Sequence, residues 1–154
     1  MLRKKGEAHL YKREFAKARA TFDAALSSAK GAAGAGAGAG ADADAALVAS
    51  AAYGLGVAHH YLKDPSRAAL SFRECARLRA QHGACPAVAL LWIGRQHERL
   101  AEPEKALGQF LSALCVYKKR QHPIDYRVVA KLLHAAGGVY ERNEDCHDMA
   151  LKCE

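Results

Sequence analysis

The chain has 154 residues and a mass of 16.5 kDa, which is typical of one domain or a short repeat array and too small for a two-domain enzyme. Hydrophobic residues make up 51% of it but aromatic residues only 7%, which favours a core of alanine and leucine on closely packed helices. The net charge of +7 is compatible with an acidic protein, a nucleic acid or an anionic membrane surface and selects none of them. The longest apolar run, Ala87 to Ile93, is too short to span a membrane, so no membrane insertion is predicted.

Charged residues and cysteines are unevenly distributed along the chain. Residues 1–30 contain eight Lys or Arg and three acidic residues, whereas residues 141–154 contain two and five. The basic start does not lead into an apolar stretch, so no secretory signal is predicted and the expected location is intracellular and cytoplasmic. The five cysteines are scattered without a Cys-x-x-Cys pair, which indicates reduced thiols.

Helices are predicted on both sides of one region of unusual composition. Gly31 to Ala46 is almost entirely glycine and alanine, and residues 31–44 are predicted to form a flexible insertion. Elsewhere the apolar residues recur with helical periodicity, and no stretch alternates β-branched residues as a strand would. Because proline is typical of the first turn of a helix, helix starts are predicted at Pro65, Pro86, Pro103 and Pro123.

One spacing of small and aromatic residues recurs three times. Each copy starts with a glycine, followed by an alanine 12 residues later, a phenylalanine 16 later and a small residue 19 later. The members are Gly6, Ala18, Phe22 and Ala25, then Gly56, Ala68, Phe72 and Cys75, then Gly94, Ala106, Phe110 and Ala113. Small residues let two antiparallel helices approach closely while phenylalanine fills the gap between adjacent pairs, so a repeat of helix pairs is predicted. A weaker fourth copy has Gly138 and Ala150.

In this pattern the chain resembles the tetratricopeptide repeat family. The resemblance implies an all-α, right-handed superhelical array of antiparallel helix pairs with about three and a half to four repeats. The implied division is a first helix pair over 1–30, the insertion over 31–44, a second repeat over 45–82, a third over 86–120 and a fourth, truncated repeat over 124–154. The repeats exceed the usual length of about 34 residues, as do the similar repeats of kinesin light chain and of the Leu-Gly-Asn repeat polarity proteins.

The same resemblance implies a binding surface. In this family the first helix of each pair lines a concave groove, and the matching positions are Arg3, Leu10, Tyr11, Tyr53, Val57, His60, Tyr61, Leu91, Arg95 and Arg99. Tyrosine, leucine and arginine suit an extended or helical peptide with apolar anchors and acidic flanks. The expected function is a non-catalytic protein-interaction scaffold, and the implied setting is a cytoskeletal, motor-linked or ciliary assembly.

The sequence does not contain the spacings of metal, nucleotide or serine-nucleophile sites; a cysteine and a histidine that meet only in the fold would leave no such spacing. The chain has eight histidines, but no close pairs of ligands have the spacing of a zinc site, so no metal, cofactor or catalytic residue is predicted. A Gly-x-Ser-x-Gly element, a phosphate loop and a dinucleotide fingerprint are all missing from the sequence. The recurring His9, His59 and His97 are predicted to be half-buried rings that pack between repeats.

Two further possibilities concern partners. A basic helical-repeat subunit of an RNA-associated complex is the alternative function, with Lys4, Lys5, Lys12, Arg13 and Lys17 on one side and Lys118, Lys119 and Arg120 on another. Nucleic acid is the less favoured partner, because aromatic residues are not interleaved with these charges as a stacking platform requires. The first and last predicted helices lack polar caps, which would allow head-to-tail stacking on neighbouring repeats.

Overall fold

The computed structural model describes residues 1–33, 41–119 and 122–142, with side chains for 1–29, 45–119 and 122–142. These residues form seven α-helices and no strand, which confirms the all-helical class for the described part of the chain. The helices are α1 (Leu2–Tyr11), α2 (Phe15–Ala33), α3 (Ala41–Tyr61), α4 (Pro65–Gln81), α5 (Ala87–Arg99), α6 (Pro103–Lys118) and α7 (Tyr126–Arg142). The chain divides into two compact units, Met1–Ala84 and Cys85–Glu154, each with its own core.

Consecutive helices within each unit pack against each other. In the first unit α1 packs on α2, α2 on α3, and α3 on α4; in the second, α5 packs on α6 and α6 on α7. Helices two apart also meet, since α1 contacts α3 and α5 contacts α7. The odd-numbered helices of a unit therefore lie side by side, as expected of a helical repeat.

The recurring glycines and phenylalanines form the central contact of each helix pair. All three rings are completely buried. A Cβ atom on Gly6 would lie 2.7 Å from Phe22 Cζ, and one on Gly94 would lie 2.3 Å from Phe110 Cε1. The same clash would arise between Gly56 and Phe72, at 2.7 Å. Each phenylalanine ring therefore lies directly on the glycine of its own pair, where any larger residue would displace it.

Phe22 additionally joins one helix pair to the next. A Cβ atom on Gly54, in α3, would lie 2.3 Å from Phe22 Cζ, so this ring is packed against α1 and α3 at once. The expectation that phenylalanine fills the gap between pairs is confirmed at this position. Around the ring, the buried cluster of the first unit contains Ala18, Ala51, Leu55 and Ala58.

The fourth copy of the pattern differs from the other three. At Gly138 an added Cβ would meet the guanidinium of Arg142, with Nη1 at 3.2 Å, rather than an aromatic ring. At Gly137 it would meet nothing within 4 Å. Ala150 lies outside the described residues, so a fourth repeat stays a prediction.

Three of the four proline positions mark helix starts as predicted, and one does not. Helices α4 and α6 begin at Pro65 and Pro103, and Pro86 is the N-cap of α5. The predicted start at Pro123 is wrong, because α7 begins at Tyr126. The reason is local capping: Asp125 Oδ1 accepts the N–H groups of Arg127 at 3.0 Å and Val128 at 3.3 Å.

The Gly/Ala region is shorter as a connection than the sequence suggests. Helix α2 continues to Ala33, and α3 already begins at Ala41. Residues 31–33 and 41–44 of the predicted insertion are therefore helical, because alanine has the highest helix propensity and extends each helix into the region. Residues 34–40 lie outside the described part of the chain.

Candidate protein-interaction surface

The turns between paired helices repeat as closely as the helices do. In each, the residue four positions after the recurring histidine has positive φ, namely Arg13 (59°), Lys63 (61°) and Ala101 (56°). The following residue is acidic, and its N–H donates to the histidine carbonyl oxygen at 2.9 or 3.0 Å. These acidic residues are Glu14, Asp64 and Glu102. The recurring histidine and acid therefore define one turn geometry.

In two turns the histidine side chain also binds the acid. His97 Nδ1 lies 2.6 Å from Glu102 Oε2, and His9 Nδ1 lies 2.7 Å from Glu14 Oε2. Hydrogen bonds from Lys17 and His9 lower the pKa of Glu14 to about 2. Each glutamate also pairs with a lysine of the following helix, Glu14 with Lys17 at 2.9 Å and Glu102 with Lys105 at 2.6 Å.

In the second turn the acidic residue is an aspartate, Asp64, and its side chain makes a different hydrogen bond. Asp64 Oδ1 accepts the N–H of Arg67 at 3.0 Å and so caps α4. His59 is only 7% exposed, and burial lowers the pKa of its imidazole. His97 is equally buried. The predicted half-buried state thus fits His9, whereas the other two rings are buried.

Seven predicted groove residues lie in the first unit, on the adjacent helices α1 and α3. Three of these side chains make contacts within the unit. The Arg3 guanidinium forms an ion pair with Glu7 at 2.5 Å, and Leu10 packs against the buried cluster. Tyr53 contacts the ring of Phe72 edge to face, with centroids 5.6 Å apart. Val57 and His60 are half-buried on the same helix as Tyr53.

The most accessible aromatic side chains of this unit lie at its turns. Tyr11 is 92% exposed and ends α1, and Tyr61 is 54% exposed and ends α3. Tyr61 stacks on Phe15, the first residue of α2, with centroids 4.6 Å apart and planes inclined by 11°. This stack joins the first turn to the second. His60 touches Tyr61 edge to face at 5.3 Å.

Three cations beside these rings form no ion pair or side-chain hydrogen bond within the described residues: Lys12, Arg13 and Lys63. All three are exposed. The carboxylates of the same turns, in contrast, are paired, Glu14 with Lys17 at 2.9 Å and Asp64 with Arg67 at 3.4 Å. The turn end of the first unit therefore carries an excess of positive charge next to aromatic surface.

The second unit contains the other three predicted groove residues, and one is inaccessible. Leu91 is only 4% exposed and belongs to the core cluster around Phe110, so its assignment as a peptide anchor is wrong. The Arg95 guanidinium lies 5.6 Å from the ring centroid of Trp92. Arg99 is exposed at the end of α5.

Two interactions, one in each unit, were not predicted from the sequence. The first is the stack of Phe15 on Tyr61. Phe15 occupies the position at which the next two turns have proline, and this difference between the repeats could have indicated a special role for its ring. Glu98 and Arg142 form an ion pair at 2.6 Å that joins α5 to α7. Nothing in the local sequence indicates that pair, because its members are 44 positions apart.

Each unit has a cavity lined by described residues. One of about 330 Å³ is lined by α3 and the end of α4, including Ala49, Leu78, Arg79 and His82. Another of about 320 Å³ is lined by Glu98, Ala101, Pro103, Val139 and Arg142. In the described part of the chain, no group of three or more His, Cys, Asp or Glu could hold a metal ion.

Comparison with known proteins adds no relative. The chain matches no family model, no curated protein and no solved structure. Among the described helices, none combines the length and apolar character needed to cross a membrane.

Proposed function

We propose that the chain is a non-catalytic protein-interaction scaffold built as a tetratricopeptide-like array of helix pairs. The observation that carries this proposal is the adjacency of α1 and α3, which places predicted binding residues on neighbouring helices of one unit. Tyr11, Tyr61 and the half-buried Tyr53 supply apolar contact area, and aromatic side chains are the commonest strong anchors of protein interfaces. The partner is a peptide or helix with apolar and acidic residues.

The proposal is tested by peptide binding to the full chain. Random 12-residue peptides are selected on the immobilised protein, and the affinities of selected sequences are measured by fluorescence anisotropy. The Tyr61→Ala variant is expected to weaken binding about ten-fold or more, the size of effect at an interface hot spot. The matched control is Tyr126→Ala, which removes a 78% exposed tyrosine from the second unit and leaves binding unchanged. Equal binding by the Tyr61 variant and the parent would refute the proposal.

An RNA-associated subunit remains a second candidate because of one observation. The exposed rings of Tyr11 and Tyr61 lie at turns that also carry Lys12, Arg13 and Lys63, and the stack of Phe15 on Tyr61 joins these two turns. Exposed rings and cations together are what single-stranded nucleic acid requires. Binding of a uridine 15-mer that falls steeply with added salt would support this candidate, and no binding at low salt would remove it.

A further inference from the structure

The turn end of the first unit forms a distinct surface, here called the turn patch. It consists of exposed or half-buried residues from the first turn, the second turn and the start of α2. Its members are Tyr11, Lys12, Arg13, Phe15, Tyr61, Leu62 and Lys63. The stack of Phe15 on Tyr61 makes the two turns contiguous, so the patch is one surface.

The charge of the turn patch is positive and uncompensated. Glu14 and Asp64 lie in the same turns, but Lys17, His9 and Arg67 bind their oxygens. No carboxylate of the described residues is paired with the side chains of Lys12, Arg13 or Lys63. Three exposed cations without intramolecular partners are complementary to a ligand that brings its own negative charges.

The apolar part of the turn patch distinguishes between kinds of anionic ligand. One face of Tyr61 is already covered by Phe15, and His60 makes an edge contact with the same ring. Leu62 adds aliphatic surface, with 38% of the residue exposed. Consecutive stacked bases need consecutive free ring faces, whereas aliphatic and aromatic side chains can pack on ring edges and on leucine. The patch therefore favours a polypeptide over a nucleic acid.

We infer that the turn patch binds an acidic segment of a partner protein in which carboxylates flank aliphatic or aromatic side chains. This inference rests on the proposed scaffold function and goes further by assigning recognition of the acidic residues to the cations of the turns. Carboxylates of the segment pair with Lys12, Arg13 and Lys63. Its apolar side chain packs between Tyr11, Tyr61 and Leu62.

The test uses the selected 12-residue peptides and a variant that removes charge without straining the backbone. Arg13 and Lys63 have positive φ, and asparagine adopts that conformation more readily than most residues. The double variant Arg13→Asn, Lys63→Asn therefore lowers the charge of the turn patch by two while keeping the turns. The matched control Lys119→Asn, Lys131→Asn makes the same change in net charge at exposed positions of the second unit.

The inference predicts results for the selected peptides and for the variants of the chain. Selected peptides are enriched in Asp and Glu next to Leu, Phe or Trp, and replacing their acids by Asn and Gln abolishes binding. The patch double variant weakens binding about ten-fold and Tyr11→Ala weakens it several-fold, while the control pair stays within about two-fold of the parent. Circular dichroism of each variant establishes that the helices are intact.

Four other results would overturn it. If Tyr61→Ala weakens peptide binding but the patch double variant does not, the scaffold function stands and the turn patch is not the acidic site. If peptide binding is insensitive to both variants, the scaffold proposal and this inference fail together. If the selected peptides lack acidic residues, or the uridine 15-mer competes with them and depends on the same residues, the turn patch does not recognise an acidic protein segment.

Discussion

At the scale of single residues, the contact between a glycine and a buried phenylalanine ring is the most demanding feature of the chain. A Cβ atom added at Gly94 would lie 2.3 Å from the ring of Phe110, far inside normal contact. Phe110 is completely buried and surrounded by the core of the second unit, so it cannot move aside freely. Gly108, in the adjoining helix α6, differs because a Cβ atom added there would meet no atom within 4 Å.

These two glycines provide a paired prediction. Gly94→Ala is expected to lower the free energy of unfolding by about 2 kcal/mol, because overpacking forces the ring or the helix to shift. Gly108→Ala is expected to raise it by about 0.5–1 kcal/mol, because alanine is the better residue inside a helix. Urea unfolding followed by circular dichroism measures both. A stable Gly94→Ala protein would show that the ring does not lie tightly on α5.

A second prediction at this scale concerns pH. Burial lowers the pKa of His59 below its ordinary value of 6.5, while the charges that face it act in both directions: Asp64, Asp23, Arg19 and Arg67. The folded state therefore binds a proton less readily than the unfolded state. This part of the stability is fully present above pH 6.5 and decreases as the pH falls through 6.5 towards the folded-state pKa.

Replacing His59 by Gln removes this contribution. The free energy of unfolding of the variant should fall less between about pH 7.5 and 5.5 than that of the parent, as measured by urea unfolding at each pH. The measurement compares how steeply the free energy of unfolding changes with pH in the two proteins. It therefore remains valid when the variant is less stable than the parent at every pH. Identical slopes would mean that the imidazole is as easily protonated in the folded chain as in the unfolded chain.

At the scale of elements, the turn is as regular as the helices it connects. Arg13, Lys63 and Ala101 all occupy the left-handed region, which costs a residue with a Cβ atom roughly 1–2 kcal/mol. The backbone bond from the following acid to the histidine carbonyl fixes this conformation in each turn. Sequence periodicity did not reveal it, because no glycine marks these positions.

The turn geometry predicts that a glycine substitution at one of these positions stabilises the protein, whereas glycine inside a helix destabilises it. Ala101→Gly should raise the free energy of unfolding by about 1 kcal/mol, since glycine adopts positive φ without a steric penalty. The same replacement at Ala130, an exposed position inside α7, should lower it by about 1 kcal/mol. Thermal and urea unfolding of the two variants give the comparison. Destabilisation by Ala101→Gly would contradict the left-handed turn.

At the scale of the whole molecule, the two units have separate buried clusters, one that includes Phe22 in the first unit and one that includes Phe110 in the second. Phe22 packs against Gly6 of α1 and Gly54 of α3, whereas Phe110 belongs to a cluster that includes Leu107 and Leu132. The two rings therefore support different sets of helices. The helices around one ring are therefore expected to open together, and separately from the helices around the other ring.

Removing either ring should thus affect one unit preferentially. Phe22→Ala is expected to cost about 3–5 kcal/mol and to accelerate amide hydrogen exchange in α1, α2 and α3. Phe110→Ala should do the same in α5, α6 and α7. Each variant is the control for the other, and hydrogen exchange with mass spectrometry measures both. Equal acceleration throughout the chain for either variant would show that the two units open as one.

Several features could be predicted from the sequence because neighbouring residues encode them. The spacing of Gly6 to Phe22 predicted a helix pair, and Pro65 and Pro103 marked helix starts, since proline suits the first turn. The sequence pattern did not predict the ends of helices at positions where two local effects compete. At Pro123 the capping carboxylate of Asp125 decides the start, and at Ala33 and Ala41 helix propensity prevails over the flexibility expected of a Gly/Ala tract.

The order of amino acids was enough to predict that the described chain is helical and that consecutive helices pack on each other, because fixed spacings on a helix place small and aromatic side chains on defined faces. That each phenylalanine ring lies on the glycine of its own copy was decided by the tertiary structure. Which candidate residues are accessible depended instead on how the helices pack. A helix rotates by about 100° per residue, so a small rotation separates buried Leu91 from an exposed groove position. Likewise Phe15 and Tyr61 are far apart in the chain, and packing of consecutive helices brings their rings together.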